Sequence, residues 1–303
     1  MAIITAPGAY SDIANEVYHR DPDLLPGPSI SSSGLKTLLK RSPRHYWHDS
    51  PLNPNRPPED DKPHFRVGKA AHDCLLLEGR WADAYYILQE DFNARKTKEQ
   101  ADWHAEAEAA REAGKTVLTH AEAESVKAMA ASLRENKFAA AALTNGESEV
   151  TLAWKDQETG VWLRVRPDFL PHKRRIIPDL KTAADGSPDA FSRTVSKFGY
   201  HMAAALYMDG IKAIFGEAPS NWLHVVIEKE APYVVSLYEL PPEDIERGRW
   251  LNRKAIRIYA DCLNSGQFPG YADEPVQLGL PGWERKRIDE GSTGHDIAWS
   301  EAA

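Results

Sequence analysis

Two aspartates and a lysine lie close together in the stretch RPDFLPHKRRIIPDLKT, which covers residues 166–182. A turn at HKRR, residues 172–175, would join two antiparallel strands and place Asp168 directly opposite Asp179. The Cβ atoms of opposed residues lie roughly 4.5–5.5 Å apart, so the two carboxylates would repel each other unless a cation joined them. Lys181 falls on the same face as Asp179 because side chains alternate along a strand. This spacing predicts a site for a divalent cation.

Magnesium is the cation that such a carboxylate pair favours, because it binds hard oxygen ligands together with substrate phosphates. Metal ions polarise a scissile phosphate, lower the pKa of the attacking water and stabilise the leaving oxygen. Asp168, Asp179 and Lys181 are therefore candidates for a phosphodiester-cleaving centre. A D-x-K triplet also occurs on ordinary exposed strands, and the local pattern leaves that alternative open.

The composition is that of a globular protein that could hold one large domain or two modest ones. Of its 303 residues, 42% are hydrophobic and 27% are charged. No apolar run approaches the roughly 20 residues of a membrane span, and the N-terminal residues lack the pattern of a signal peptide, so we expect a cytoplasmic protein. The two cysteines, Cys74 and Cys262, exclude a cysteine-rich zinc or iron–sulfur site.

The formal net charge of −8 is unfavourable for a nucleic-acid partner, but the basic residues are clustered. Residues 160–181 carry six basic side chains against two acidic ones, and LKTLLKRSPRHYWH, residues 35–48, carries four basic side chains and no acidic one. A third basic segment, ERGRWLNRKAIR, is explained equally well as a solvated helix face. The distribution of charge therefore leaves a nucleic-acid partner possible despite the net charge.

The hydrophobic periodicity predicts a mixed α/β core with a helical region in front of it. Residues 1–28 read as an irregular arm, 29–285 as a single domain and 286–303 as a flexible tail. Thr119 and Glu122 have capping-box spacing at the start of a helix. Helices are predicted at ISSSGLKTLLKRS, Val67–Glu78, 188–215 and 242–265, and strands at 149–154, 161–170, 174–181, 222–229 and 233–240.

Several blocks, in order, resemble the RecE-type (exonuclease VIII) nuclease domains of the PD-(D/E)XK superfamily. They are VGKAAHDCLLLE, DFNARKTK, GKTVLT, RVRPDFL, IIPDLKT and YHMAAALYMDGIKAIFG, and the similarity runs from about residue 16 to 285. The resemblance implies a restriction-endonuclease-like core, in which helices flank a mixed central sheet and a helical region lies at the N-terminal side.

The resemblance also assigns roles to residues outside the central trio. GKAAH matches the family's G-x-x-x-H helix and makes His72 a metal-site residue, although a lone histidine could equally be a hydrogen-bonded core group. Glu149 matches the family's upstream glutamate, with Glu147 as its rival. By the same resemblance the Leu180 carbonyl completes the metal shell formed by the two aspartates.

The family's Q-x-x-x-Y element is only half present. Tyr207 fits the tyrosine, but Ala203 stands at the glutamine position, which removes an amide that would contact the active site or DNA. His201 is a poor replacement because it points about 200° away from Ala203 around a helix.

Recognition of a DNA end is expected near the first predicted helix, where relatives bind the terminal 5′ phosphate. Ser33 is the best positional match, while Ser31 reads more simply as a helix cap. Lys36, Arg44 and Arg166 are candidate nucleic-acid contacts, since lysine and arginine form strong bonds to phosphate. Tyr46 and Trp47 could stack on a base or belong to the core.

The resemblance implies a Mg²⁺-dependent exodeoxyribonuclease, with two ions per site and Mn²⁺ as a substitute. It would degrade one strand of linear double-stranded DNA from 5′ to 3′, releasing mononucleotides and leaving 3′ overhangs. The implied partners are three further copies in a ring-shaped tetramer and a single-strand annealing protein, without a membrane. Two alternatives remain: another PD-(D/E)XK nuclease, endonucleolytic or specific for single strands, and a non-catalytic DNA-binding recombination module.

Overall fold

The structure, a computed structural model, describes residues 3–57, 63–77, 81–94 and 98–292. From residue 146 onward five strands are followed by two helices, two strands and two helices, whereas helices dominate before it. The strands are β1 (Gly8–Tyr10), β2 (Ser29–Ser31), β3 (Tyr85–Ile87), β4 (Thr116–Leu118), β5 (Gly146–Ser148), β6 (Thr151–Lys155), β7 (Trp162–Val165), β8 (Phe169–Pro171), β9 (Ile176–Ala183), β10 (Asn221–Glu228) and β11 (Val235–Glu239). The helices are α1 (Asn15–Arg20), α2 (Ser32–Lys40), α3 (Pro43–Asp49), α4 (Pro63–Leu76), α5 (Trp81–Ala84), α6 (Ala101–Glu112), α7 (His120–Glu135), α8 (Lys137–Ala142), α9 (Pro188–Phe198), α10 (Tyr200–Phe215), α11 (Pro242–Ser265) and α12 (Gly282–Ser292), with a 3-10 turn at Lys98–Gln100.

Parallel and antiparallel pairs are mixed in the two larger sheets, as the predicted fold class requires. One sheet has the order β1-β6-β7-β2, in which only β2 and β7 run parallel. The other has the order β11-β10-β9, with β9 and β10 parallel and β10 and β11 antiparallel. Two short ribbons pair β3 with β4 and β5 with β8.

The predicted antiparallel pairing of Asp168 with Asp179 is wrong. Residues 172–175 do connect β8 to β9, but β8 pairs with β5, and β9 pairs with β10 along its whole length. A three-residue strand such as β8 could satisfy only part of the eight-residue β9, and Pro178 lacks the N–H that a ladder with β8 would use. Asp168 therefore reaches β9 through its side chain.

Two apolar clusters pack on opposite faces of β9 and β10. The first joins the β6–β7 sheet to α2, α10 and α11, with Leu152, Leu163 and Leu206 buried in it. The second joins β9 and β10 to α4 and α7, and it includes the buried Leu180. The α7 helix begins with the predicted capping box, in which Thr119 and Glu122 bond each other's backbone. Both faces of the strands are thus covered by helices.

The helix predicted over 188–215 is two helices, α9 and α10, separated by Gly199. This glycine has φ 65°, a left-handed conformation that a side chain would strain. The chain therefore turns between Phe198 and Tyr200, a change that the uninterrupted apolar periodicity did not indicate.

Residues 3–28 form more regular structure than the irregular arm that was expected over 1–28. β1 pairs with the edge of β6, and α1 contributes the buried Tyr18 to a small cluster with Ile4 and Leu24. A three-residue strand and a six-residue helix are too short for periodicity to reveal. The strand becomes evident from its pairing with β6, and the helix from the packing of Tyr18.

The chain divides into two compact units, residues 1–268 and 269–303. In the second unit, Arg285 donates to the Leu280 carbonyl and Arg287 pairs with Glu284 inside α12. Residues 286–292 of the predicted tail belong to α12, and the remainder lies outside the described residues. None of the helices in the described ranges is long and apolar enough to cross a bilayer.

Candidate active site

Four segments bring acidic and basic side chains into one partly exposed cluster, which we call the cleft. Asp168 lies between β7 and β8, and Asp179 and Lys181 lie on β9. His72 comes from α4, and Glu149 lies in the two-residue connection between β5 and β6. The five side chains are between 11% and 25% exposed, which is buried enough for strong electrostatics and open enough for a substrate.

Lys181 contacts both aspartates. Its Nζ lies 2.7 Å from Asp179 Oδ2 and 3.8 Å from Asp168 Oδ2. Burial acts to lower the pKa of Lys181, but the two carboxylates outweigh it and raise the pKa, so the side chain is an ammonium ion. Burial likewise acts to raise the pKa of Asp179, and Lys181 together with His224 holds that pKa below its usual range. The pair is fully ionised at neutral pH.

Asp168 is held through a single oxygen. Its Oδ2 accepts a hydrogen bond of 2.8 Å from the Leu180 backbone N–H and lies 3.1 Å from His72 Nε2. The side chain thus bridges the loop after β7 to the middle of β9 and to α4. Gly68 lets α4 approach β9 closely, since a Cβ at this position would lie only 3.1 Å from Thr182 Oγ1. This close approach allows His72 to reach the Asp168 carboxylate.

The His72 imidazole lies between two carboxylates, as expected of a protonated histidine. Its Nδ1 lies 3.7 Å from Glu149 Oε1, and its Nε2 faces Asp168. Burial acts to lower the pKa of His72, but Asp168 and Glu149 outweigh it and raise the pKa to about 9. In this arrangement both ring nitrogens carry protons, so His72 orients the carboxylates; binding a metal would require it to lose one.

Glu149, and not Glu147, faces the cleft. It has φ 59°, an uncommon value for a glutamate, and its N–H donates to the Asp168 carbonyl at 3.2 Å. The rival Glu147 is exposed and accepts a hydrogen bond from Ser11. Burial is the main cause that raises the pKa of Glu149 above its ordinary value.

Arg166 does not lie where a DNA contact would require. Its side chain is 5% exposed, its Nε and Nη2 donate to Thr151 Oγ1, and Nη2 also donates to the Ile13 carbonyl. Nη1 lies 3.6 Å from Glu149. These bonds do not favour the predicted contact of Arg166 with nucleic acid, because the guanidinium is bonded inside the protein, where it holds Glu149.

His224 belongs to the cleft although the sequence did not single it out. On β10 it is the register partner of Asp179, and its Nδ1 lies 2.9 Å from Asp179 Oδ2. The only signal was a lone histidine inside the buried strand WLHVVIE, which by itself is an ordinary core feature. The parallel pairing with β9, invisible in one strand alone, gives it a partner.

Two tyrosines of α10 border the same cleft. The Tyr207 hydroxyl is hydrogen-bonded by the Arg166 backbone, and burial raises its pKa well above the ordinary value. The Tyr200 ring lies 5.4 Å from Lys181 Nζ. Tyr200 was not predicted, since its position next to Gly199 gave no helical register to follow. Ala203, which occupies the position of the family glutamine, lies between the two tyrosines in the sequence and is half-buried.

The predicted DNA-contacting residues lie in and beside α2. Ser33 is exposed and its hydroxyl lies 2.9 Å from that of Ser31, whose side chain makes no cap bond although Ser31 is the N-cap residue. Lys36 is half-buried, and burial, followed by repulsion from Lys181, lowers its pKa to about 8. Arg44 is exposed on α3. Tyr46 is in the core against Tyr259, which excludes base stacking for it.

The oxygen donors of the cleft fit a hard divalent cation. Asp168, Asp179 and Glu149 supply carboxylates and Leu180 supplies a carbonyl, which are the ligands that Mg²⁺ prefers. Across the described residues no three His, Cys, Asp or Glu side chains form a preassembled metal cage. Lys181 and His72 are the cations that pair with these carboxylates in the structure, so charge balance in the cleft is already provided by nitrogen groups.

Comparison with known proteins agrees with this fold. A crystal structure of a "putative exonuclease" from Eubacterium rectale is similar over 85% of this chain and 92% of its own, with TM-score 0.57 and 13% identity. A phage related exonuclease from Haemophilus somnus covers 79% of this chain and 97% of its own at 11% identity, but its TM-score of 0.28 carries no weight. No curated protein sequence matches the chain.

A family match decides the relationship. Residues 31–276 match the family described as a PDDEXK-like domain of unknown function (DUF3799). The match includes all five residues of the cleft and the strands that carry them. The chain therefore belongs to this PDDEXK-like family, with the restriction-endonuclease-like fold of the PD-(D/E)XK nucleases.

Proposed function

We propose that the protein is a Mg²⁺-dependent exodeoxyribonuclease that degrades one strand of linear double-stranded DNA from 5′ to 3′, as part of a nuclease domain over residues 29–285. The family and fold support a nuclease. The observation that carries the proposal is that one partly exposed ammonium, that of Lys181, contacts both Asp168 and Asp179. Mononucleotides and 3′ overhangs would be the products.

The residues of the cleft divide the work of phosphodiester hydrolysis. One or two Mg²⁺ or Mn²⁺ ions would be held by oxygen ligands from Asp168, Asp179, Glu149 and the Leu180 carbonyl. His72 would orient the carboxylates of Asp168 and Glu149. The metal, when bound, supplies Lewis acidity and an activated water. Lys181 orients the water and places positive charge beside the phosphate, while Tyr207 packs beside the two aspartates.

Charge distribution supports binding of a DNA end. Lys36 carries a half-buried ammonium that no acidic side chain of the described residues pairs with, and Ser33 and Arg44 are exposed on the neighbouring α2 and α3. A phosphate would provide the missing anion for Lys36. The 5′ polarity, a ring tetramer that keeps an acidic protein on DNA, a single-strand annealing partner and a cytoplasmic site of action extend the proposal from the RecE-type resemblance.

The decisive experiment compares linear duplex DNA, labelled separately at each 5′ and 3′ end, with covalently closed circles in Mg²⁺. We expect linear DNA to lose label from the 5′ ends and the circles to survive. Cutting of intact circles would replace the proposal by an endonuclease, and loss of the 3′ labels first would reverse the polarity.

The matched variant is Asp179→Asn, which keeps the shape of the side chain but not its charge. It should lose activity by at least about 10³-fold, as expected for loss of a ligand group in metal-assisted hydrolysis. Unchanged activity in the variant would show that the cleft is not the catalytic centre; if that activity then proved to come from a contaminating nuclease, a non-catalytic DNA-binding module would be favoured.

A further inference from the structure

An exposed phenylalanine and a half-buried tyrosine form an aromatic pair at the edge of the cleft. Phe198, the last residue of α9, is 50% exposed, and its ring stacks on that of Tyr200 with centroids 5.8 Å apart and planes inclined by 23°. The Tyr200 ring in turn lies 5.4 Å from Lys181 Nζ. We call Phe198 and Tyr200 the aromatic shelf. It links the protein surface to the residues that would cleave DNA.

The shelf is held in place from below and from the side. Tyr200 contacts the buried rings of His224 and Phe191, with centroid separations of 5.6 and 6.1 Å. Lys40 Nζ donates to the Ser196 and Lys197 carbonyls and so fixes the end of α9 that carries Phe198. A pair of rings that is fixed in this way presents a surface to a ligand without loss of side-chain freedom.

Positive charge surrounds the shelf. The Lys197 ammonium lies 5.5 Å from the Phe198 ring centroid. The Lys36 side chain passes Gly199, the residue between the two aromatics, with its Cδ 3.1 Å from the position of a Cβ there. An exposed aromatic surface flanked by ammonium groups matches one ligand well, because a nucleotide joins a flat base to a phosphate.

We propose that the aromatic shelf stacks on a nucleobase of the DNA strand beside the bond that is cleaved. This inference rests on the proposed function and deepens it, since it names the part of the substrate that Phe198 and Tyr200 contact. Stacking on an aromatic ring tolerates any base, so the shelf would position the strand without selecting a sequence.

The test removes the ring on one side and the base on the other. Phe198→Leu retains an apolar side chain without a ring, Phe198→Tyr retains the ring, and Phe138→Leu changes an exposed phenylalanine of α8, which is 77% exposed, as the matched control. Substrates are linear duplexes that are intact or carry one abasic residue at the first, second or third position from the 5′ end. The measured quantity is kcat/KM in Mg²⁺.

On intact DNA we expect Phe198→Leu to lower kcat/KM about tenfold, and Phe198→Tyr and Phe138→Leu to leave it within about twofold. At one of the three abasic positions, kcat/KM of the wild-type protein should also fall about tenfold relative to intact DNA. At that position the abasic residue should not lower kcat/KM of Phe198→Leu any further, because the ring that stacks on the base is already absent. Independent losses that multiply, or a Phe198→Leu protein equal to wild type on intact DNA, would overturn the shelf.

A binding cycle separates this inference from the nuclease proposal. In the Asp179→Asn background, the affinity for the same intact and abasic duplexes is measured by fluorescence anisotropy, with and without Phe198→Leu. If the wild-type protein cuts no DNA but the cycle shows coupling, the nuclease proposal fails and the shelf stands. If DNA is cut but neither the kcat/KM comparison nor the binding cycle shows coupling between Phe198 and the base, the nuclease proposal stands and the proposal for the aromatic shelf fails.

Discussion

His224 fixes the orientation of Asp179 from the neighbouring strand. The two residues are register partners in the parallel β9–β10 pair, and His224 Nδ1 lies 2.9 Å from Asp179 Oδ2. An ionised carboxylate only accepts hydrogen bonds, so Nδ1 carries the proton. The same Oδ2 contacts Lys181, which leaves Oδ1 as the carboxylate oxygen without a hydrogen bond among the described residues.

Replacing His224 by phenylalanine should impair catalysis more than folding. The new ring fills the space among Phe191, Tyr200 and Trp222, but it donates no hydrogen bond, so Asp179 loses one of the two contacts that orient it and keeps the one from Lys181. We expect activity to fall about 10–100-fold and the Mg²⁺ concentration at half-maximal rate to rise. Cleavage rates over a Mg²⁺ titration, Mn²⁺ binding measured by calorimetry, and urea unfolding check this.

An unchanged Mg²⁺ requirement and Mn²⁺ affinity in this variant would contradict a positioning role. The imidazole Nε2 is buried without a partner, so His224→Phe also removes an unsatisfied polar atom. Stability equal to or above wild type, together with weaker metal binding, is therefore the expected pattern.

Two lysines of α2 should respond in opposite directions when each is replaced by methionine. Burial, more than repulsion from Lys181, lowers the pKa of Lys36 to about 8, so its charge opposes folding throughout the range below that pH. Lys36→Met should raise the free energy of unfolding by about 1–3 kcal/mol and weaken DNA binding. Lys40→Met should lower stability by about 1 kcal/mol, because its ammonium caps the carbonyls at the end of α9.

Urea unfolding at pH 6.5 and DNA affinity at several salt concentrations give both quantities. For Lys36→Met, the slope of log affinity against log salt should become shallower by about one, as for loss of one phosphate contact. If Lys36→Met destabilises the protein and leaves the salt slope unchanged, Lys36 is a structural residue.

The sequence was sufficient to predict which side chains meet in the cleft, but not how the strands that carry them pair. The sequence pointed to Asp168, Asp179 and Lys181 because their residue types and their spacing on adjacent segments do not depend on which strands pair. The pairing itself was missed, since a pattern of period two places a residue on a face without naming the partner strand. For the same reason His224 was overlooked: its role depends on the register of β10 against β9.

Burial was the other quantity that composition could not supply. Arg166 counted as positive charge available to DNA, yet Thr151, Ile13 and Glu149 occupy its donors. Basic side chains on a strand next to acidic residues read the same in sequence whether they face solvent or an internal carboxylate. The end of α9 at Gly199 was hidden for a related reason, because one glycine within an apolar helical pattern is usually tolerated.

Arg166 and Arg44 therefore provide a matched pair for separating internal from DNA-facing arginines. Arg166→Met leaves Glu149 and the Thr151 hydroxyl without their buried partner, so we expect a loss of roughly 3 kcal/mol in unfolding free energy and an unchanged salt slope for DNA binding. Arg44→Met, on the surface of α3, should leave stability within about 0.5 kcal/mol and reduce the slope by about one. A reduced slope in Arg166→Met would restore the DNA-contact interpretation.

Acid stability should depend on Asp156, which ties the β6–β7 turn to α11. Its buried carboxylate accepts from the Thr159 N–H and hydroxyl and from two nitrogens of Arg253. Burial acts to raise the pKa of Asp156, but the bonds from Arg253 and Thr159 outweigh it and lower the pKa to about 2. The folded pKa lies below the roughly 3.9 of an unfolded aspartate, so this stabilisation is complete above about pH 5 and is lost as the pH falls toward 2.

Asp156→Asn measures that contribution directly. We expect the variant to be less stable than wild type by about 1–3 kcal/mol at pH 7, and the difference to shrink as the pH falls from about 4 to 2, because wild-type Asp156 becomes protonated there. Urea unfolding of both proteins at matched pH values cancels the other carboxylates, and Glu108→Gln, in an exposed pair with Arg111, is the control with little effect at any pH. A difference that stays constant down to pH 2 would show that the neutral side chain makes the same bonds, and that the charge on Asp156 does not stabilise the fold.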